Sequence, residues 1–119
     1  MLLIQITASH GPVECEYATR LTLQKLLQLA RAEGIAFDLL ETVESAAGYK
    51  SVLLGSDDPR AEAWIADWLG SIQWTFSSPF RPLHKRKNWF VAVQRCAAPE
   101  VIPADGEIHF QACKASGAG

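Results

Sequence analysis

Residues 74–90 combine aromatic and basic side chains in a pattern that suits RNA binding. The aromatic and basic members are Trp74, Phe76, Phe80, Arg81, His84, Lys85, Arg86, Lys87, Trp89 and Phe90. Unpaired bases stack on aromatic rings and guanidinium planes, while lysine and arginine bind phosphates. The bland alternative is a solvated basic hairpin in which Trp74, Trp89 and Phe90 alternate into the core.

Charge is concentrated in the same segment. The formal net charge is −2, and Arg81, Lys85, Arg86 and Lys87 together carry +4, so the other residues sum to −2 − 4 = −6. A dense basic loop on an acidic body creates a local positive field that attracts phosphate despite the net negative charge.

Other chemistry is poorly supported by residue spacing. The three histidines and three cysteines are His10, His84, His109, Cys15, Cys96 and Cys113. No histidine has a Cys, Asp or Glu at a metal-ligand or triad spacing, and no Cys-x-x-Cys occurs. The sequence therefore predicts no metal and no cofactor, and the odd cysteine number favours buried thiols over a disulfide framework. A small hydrolase using His84 or His109 remains a remote alternative.

The elements that position the basic segment follow from periodicity. Strands are predicted at residues 2–7, 35–43, 49–54, 71–76 and 89–93, with a turn at 44–48. One helix opens at Pro12 and stops at Gly34, and a second starts at Asp58-Pro59 and ends before Gly70. Residues 77–88 are predicted to form a loop between two strands.

The predicted fold class is α+β, with one mainly antiparallel sheet packed under two helices in the order β-α-β-β-α-β-β. With 119 residues and 49% hydrophobic side chains, the chain suits one compact domain, placed at residues 1–104. A linker is predicted at residues 97–106 and a short strand at 108–112, so residues 105–119 form a separate lead-in. The N-terminus carries no basic leader or membrane-length apolar run, which predicts a cytoplasmic protein.

Two motifs resemble the class I peptide chain release factor superfamily. Ser78-Pro79-Phe80, followed by a basic cluster, an aromatic pair and Ala98-Pro99-Glu100-Val101, resembles the recognition loop of the UGA-reading factor. Residues 107–119 are similar to the strand and loop that deliver the catalytic Gly-Gly-Gln motif, with Gly119 as its first glycine. The likeness extends to the N-terminal half in short members that lack the usual helical domain, and Arg86 to Phe90 is especially similar to them.

The resemblance implies a domain that binds the ribosome, at decoding-centre RNA of the small subunit and messenger RNA in the A site. It implies contacts from Ser78, Pro79, Phe80, Arg81, His84, Lys85, Arg86 and Lys87, with Trp74 and Trp89 as supports. In the intact factor a separate domain would promote peptidyl-tRNA hydrolysis, so this chain alone is not expected to be catalytic. Short members are regarded as rescue factors for ribosomes with damaged decoding-centre RNA, working alongside an RNA-repair ligase.

One departure bears on what the loop binds. Where the UGA-reading factor has a histidine that stacks among codon bases, a gap-free match places Lys87. A compact cation there favours contact with ribosomal RNA phosphate over base stacking. The alternative function is a stand-alone α+β module that binds RNA or protein without release activity.

Overall fold

The computed structural model describes residues 1–81 and 83–96 and contains one five-stranded sheet in the order β2-β3-β1-β5-β4, in which every pairing is antiparallel. The elements are β1 Leu2–Thr7, α1 Val13–Ala32, β2 Asp38–Glu44, β3 Tyr49–Ser56, α2 Ala61–Ile65 with a following 3₁₀ turn Ala66–Trp68, β4 Gly70–Thr75 and β5 Asn88–Cys96. The predicted α+β class and element order are confirmed.

The hydrophobic core lies between α1 and one face of the sheet. Strand side chains alternate, so Ile4, Val52 and Val91 face the helix while the residues between them face away. On α1 the core residues Leu23 and Leu26 recur at helical spacing. The core cluster contains Ile4, Ile6, Ala8, Cys15, Ala18, Leu23, Leu26, Val52, Leu54, Ile65, Trp89, Val91 and Val93.

Strand β2 begins later than predicted because the helix ends bury the preceding apolar residues. Ile35 packs in a cluster with Ala30 and Ala61, and its N–H donates to the carbonyl of Ala30 at 2.9 Å. Phe37 packs against Trp64. Hydrophobicity alone does not distinguish burial under a helix end from burial in a sheet, so the prediction started three residues early.

The second helix is shorter than predicted. Asp58 precedes it and accepts the backbone N–H of Arg60 at 2.8 Å, and its carboxylate also pairs with that guanidinium. Regular helix begins only at Ala61 and gives way to the 3₁₀ turn at Ala66. The arginine also donates to the carbonyl of Gly34 at 2.8 Å, so this short element is tied to the end of α1.

Strand β5 is longer than predicted because its pairing with β1 continues to Leu3 opposite Cys96.

Cys15 is a buried free thiol as predicted, whereas Cys96 is disulfide-bonded, so the prediction that all cysteines are free thiols is wrong for Cys96. The predicted linker, the strand at 108–112, the lead-in of residues 105–119 and His109 lie outside the described residues. Within the described part, no helix is long and apolar enough to span a membrane.

Candidate RNA-binding loop

The basic segment forms a loop, residues 77–87, that connects β4 to β5. Its base is closed by cross-strand pairing of Trp74 with Trp89 and of Thr75 with Asn88. One further backbone bond, from the N–H of Phe76 to the carbonyl of Lys87 at 2.9 Å, extends the ladder into the loop. The prediction of a loop between two strands is confirmed, and the two strands pair antiparallel.

Ser78 fixes the start of the loop from within the protein. Its side chain is buried, and its hydroxyl donates to the Glu14 carboxylate at 2.6 Å. The same oxygen accepts the backbone N–H groups of Phe80 at 3.1 Å and Arg81 at 3.0 Å. This local turn satisfies two loop amides and fixes the backbone direction at Phe80.

Arg81 forms a two-point ion pair with Glu14 in the first turn of α1. Its Nε lies 2.7 Å from one carboxylate oxygen and its Nη2 lies 2.6 Å from the other. The carboxylate is fully buried, while the Arg81 side chain is 46% exposed. The hydrogen bonds from Arg81, aided by Ser78, lower the pKa of Glu14 from 4.5 to about 2 against the opposing effect of burial.

Trp89 fixes the end of the loop. The ring is fully buried, and its indole N–H donates to the carbonyl of Phe76 at 2.9 Å. The guanidinium of Arg86 lies over this ring, 4.9 Å from the centroid, and its Nε donates to the carbonyl of Asn88 at 2.9 Å. Such stacking is a cation–π contact, which holds the arginine side chain along the strand.

His84 lies beside the same indole, with ring centroids 5.9 Å apart. Its Nδ1 accepts the backbone N–H of Arg86 at 3.0 Å. An accepting Nδ1 belongs to the neutral ring with its proton on Nε2. In the described part of the chain no group of three His, Cys, Asp or Glu side chains is arranged to hold a metal ion.

Trp74 ties the other side of the hairpin to the helix. Its indole N–H donates to the Thr22 hydroxyl at 2.8 Å, and that hydroxyl donates to the carbonyl of Ala18 at 2.8 Å. Both tryptophans predicted as supports therefore form hydrogen bonds at the base of the loop. Helix α1 thus holds the loop through Glu14 and through Thr22.

The outer side of the loop combines exposed cations with exposed apolar groups. Phe80 is 43% exposed and its ring packs edge-on against Tyr17, while Leu83 is 95% exposed. Lys85 and Lys87 are exposed, and within residues 1–81 and 83–96 their side chains form no hydrogen bond or ion pair. This surface can bind a phosphate backbone and stack an unpaired base.

The structure thus divides the eight predicted contact residues into two groups. Ser78 and Arg81 face inward to Glu14, whereas Pro79, Phe80, Lys85, Arg86 and Lys87 are exposed and His84 is half-buried against Trp89. Sequence reasoning missed Glu14. The available signal was its position on the buried stripe of α1, four residues before Ala18, where a carboxylate needs a partner.

No family model matches the chain. A curated protein of Escherichia coli, the peptide chain release factor homolog, is 36% identical over 121 aligned residues, covering the whole of this chain. The chain is therefore similar along its whole length to part of a release factor homolog. It spans 59% of the length of that curated relative.

A solved structure, RF2 of Thermus thermophilus, contains a region with the same fold as this chain. The match has a TM-score of 0.72 and 16% identity, and it covers 83% of this chain and 28% of RF2.

Proposed function

We propose that this domain recognises the ribosome and that the 77–87 loop binds RNA of the small-subunit decoding centre. The observation that carries the proposal is a loop fixed at both ends whose exposed side presents Phe80 and the cations Lys85, Arg86 and Lys87. Because Arg81 is neutralised by Glu14, the charge offered to phosphate comes from these three residues. A preorganised loop loses less conformational entropy on binding.

The residues with inward-facing side chains have a different role in this proposal. Ser78 and Arg81 hold the turn, Trp74 and Trp89 support the strands, and Pro79, Phe80 and His84 present the surface that meets ribosomal RNA or messenger RNA in the A site. In the intact factor this domain would position a separate hydrolytic domain at peptidyl-tRNA. Lys87 favours contact with ribosomal RNA phosphate over the stacking that codon reading would require. Rescue of ribosomes with damaged RNA, in association with an RNA-repair ligase, belongs to this proposal through the resemblance to short release factor homologs.

Removing two loop lysines tests the binding of phosphate. In the double variant Lys85→Ala/Lys87→Ala, the slope of log affinity against log salt should fall by roughly 0.7–0.9 for each phosphate that is no longer neutralised. The ratio of wild-type to variant affinity should therefore change by roughly tenfold between 50 and 200 mM salt. The measurement is filter binding of the 119-residue chain to purified small ribosomal subunits over that salt range.

A matched control removes the same charge elsewhere. Lys25 on α1 and Lys50 on β3 are both exposed, so Lys25→Ala/Lys50→Ala changes the net charge equally. If the control and loop variants lose the same affinity, binding follows overall charge and the loop assignment is wrong. Subunits with cleaved decoding-centre RNA give a further comparison: preferential binding supports rescue, while equal binding contradicts lesion recognition.

A further inference from the structure

The sheet face opposite the helices carries a half-exposed aromatic side chain beside the basic loop. Phe90 is 48% exposed, and it points away from the core because its neighbours Trp89 and Val91 are buried on the helix side. Its cross-strand partner is Gln73 on β4. An aromatic ring on an open strand surface is a platform on which a base can stack.

Polar side chains surround this ring and retain hydrogen-bonding capacity. The Gln73 amide nitrogen donates to the Asn88 side-chain oxygen at 3.2 Å, and the Thr75 hydroxyl donates to that oxygen at 3.3 Å. Within the part of the chain that the structure describes, this leaves the Gln73 side-chain oxygen and the Asn88 amide nitrogen without partners. A free acceptor and a free donor can both hydrogen-bond to the edge of a nucleobase.

The distribution of charge favours RNA over other occupants of this face. Strands β4 and β5 contain no acidic residue, and the only charged residue of β5, Arg95, is paired with Glu62. At the opposite edge, β2 carries Asp38, Glu41 and Glu44. The loop cations directly precede β5, so a polyanion that meets the loop is attracted toward Phe90 and repelled from β2.

We infer that Phe90, Gln73 and Asn88 form a second RNA contact, which stacks one unpaired nucleotide on the outer face of β4 and β5. This inference rests on the proposed ribosome-binding function and extends the RNA path from the loop onto the sheet. The base lies on the Phe90 ring, the two amides bind its edge, and Lys87 binds the adjoining phosphate. The contact is not specific for one base, because an amide group can hydrogen-bond to several different bases.

The test is a comparison of Phe90→Ala, Phe90→Tyr and Val43→Ala in the 119-residue chain. Val43 is a matched control because it is also 48% exposed and pairs with Ser51 on the same sheet face near the acidic edge. Phe90→Ala should lower affinity for small subunits roughly 5- to 100-fold, the usual effect of one stacked base. Phe90→Tyr and Val43→Ala should bind like the wild type, and circular dichroism confirms folding of each variant.

Salt dependence separates stacking from charge. Phe90→Ala should lower affinity equally at 50 and 200 mM salt, unlike the double lysine variant, because every phosphate stays neutralised. The same loss of affinity should occur on a protein-free RNA spanning the decoding region. If Phe90→Ala binds subunits normally while the lysine variant is impaired, only this inference is overturned. A loss confined to intact subunits identifies a ribosomal protein as the partner and also overturns it, and absence of binding by the wild type overturns both proposals.

Discussion

Trp89→Ala should destabilise the domain by about 3–5 kcal/mol, the usual effect of truncating a large buried aromatic side chain. The ring is fully buried, packs against Phe76 and His84, and carries the guanidinium of Arg86. Since small domains are typically stable by about 5–15 kcal/mol, this loss would remove a large fraction of the total stability. Urea unfolding followed by far-ultraviolet circular dichroism measures the change.

Two further variants show why Trp89→Ala should destabilise the domain. Trp89→Phe keeps most of the ring but loses the bond from the indole N–H to the Phe76 carbonyl, so it should cost about 1–2 kcal/mol. Phe90→Ala, next along the strand but exposed on the opposite face, should cost less than Trp89→Ala. A loss of stability under about 1 kcal/mol for Trp89→Ala would contradict the assignment of this ring as the support of the loop.

The sequence predicts the sheet well where side chains alternate against a continuous helix. The strand at residues 2–7 and the helix between Pro12 and Gly34 are found within a residue or so of their expected ends, because local signals mark them. Gly34 adopts a φ of +73°, which explains why the helix stops there. The predictions for the start of β2 and for the second helix were less accurate. The burial of Ile35 and the hydrogen bonds of Arg60 depend on partners distant in sequence.

The candidate site was located from composition, but its internal organisation was not. Local sequence identifies an aromatic and basic loop, since the signal is contained in residues 74–90. It does not reveal that Glu14, 64 residues before Ser78, accepts hydrogen bonds from Ser78 and Arg81. Ser78 and Arg81, which were predicted as RNA contacts, are thus bound to Glu14 and fix the start of the loop.

Glu14→Ala should destabilise the folded state by about 2–3 kcal/mol, below the usual range for breaking a buried ion pair because Arg81 is 46% exposed and regains water. The variant removes three hydrogen bonds, two from Arg81 and one from the Ser78 hydroxyl. The loop should lose its fixed start, so affinity for small subunits should also fall. Urea unfolding at neutral pH measures the change in stability. Glu16→Ala, which removes a charge from the same helix turn, is the control for the helix dipole.

The pH dependence of the stability difference between the wild type and Glu14→Ala shows whether Glu14 stabilises the fold as an ionised carboxylate or only by packing. The folded state lowers the pKa of Glu14 from 4.5 to about 2, chiefly through the Arg81 hydrogen bonds, so between those values the unfolded chain binds more protons. The stabilisation should therefore be complete above about pH 4.5 and diminish as pH falls toward 2, and the gap between wild type and Glu14→Ala should narrow over that interval. The comparison cancels the other carboxylates, which titrate in both proteins. A gap that stays constant from pH 7 to about pH 2.5 would mean that Glu14 acts by shape alone. In that case Glu14→Gln would be as stable as the wild type. Loss of the two-point ion pair with Arg81 should instead make Glu14→Gln less stable.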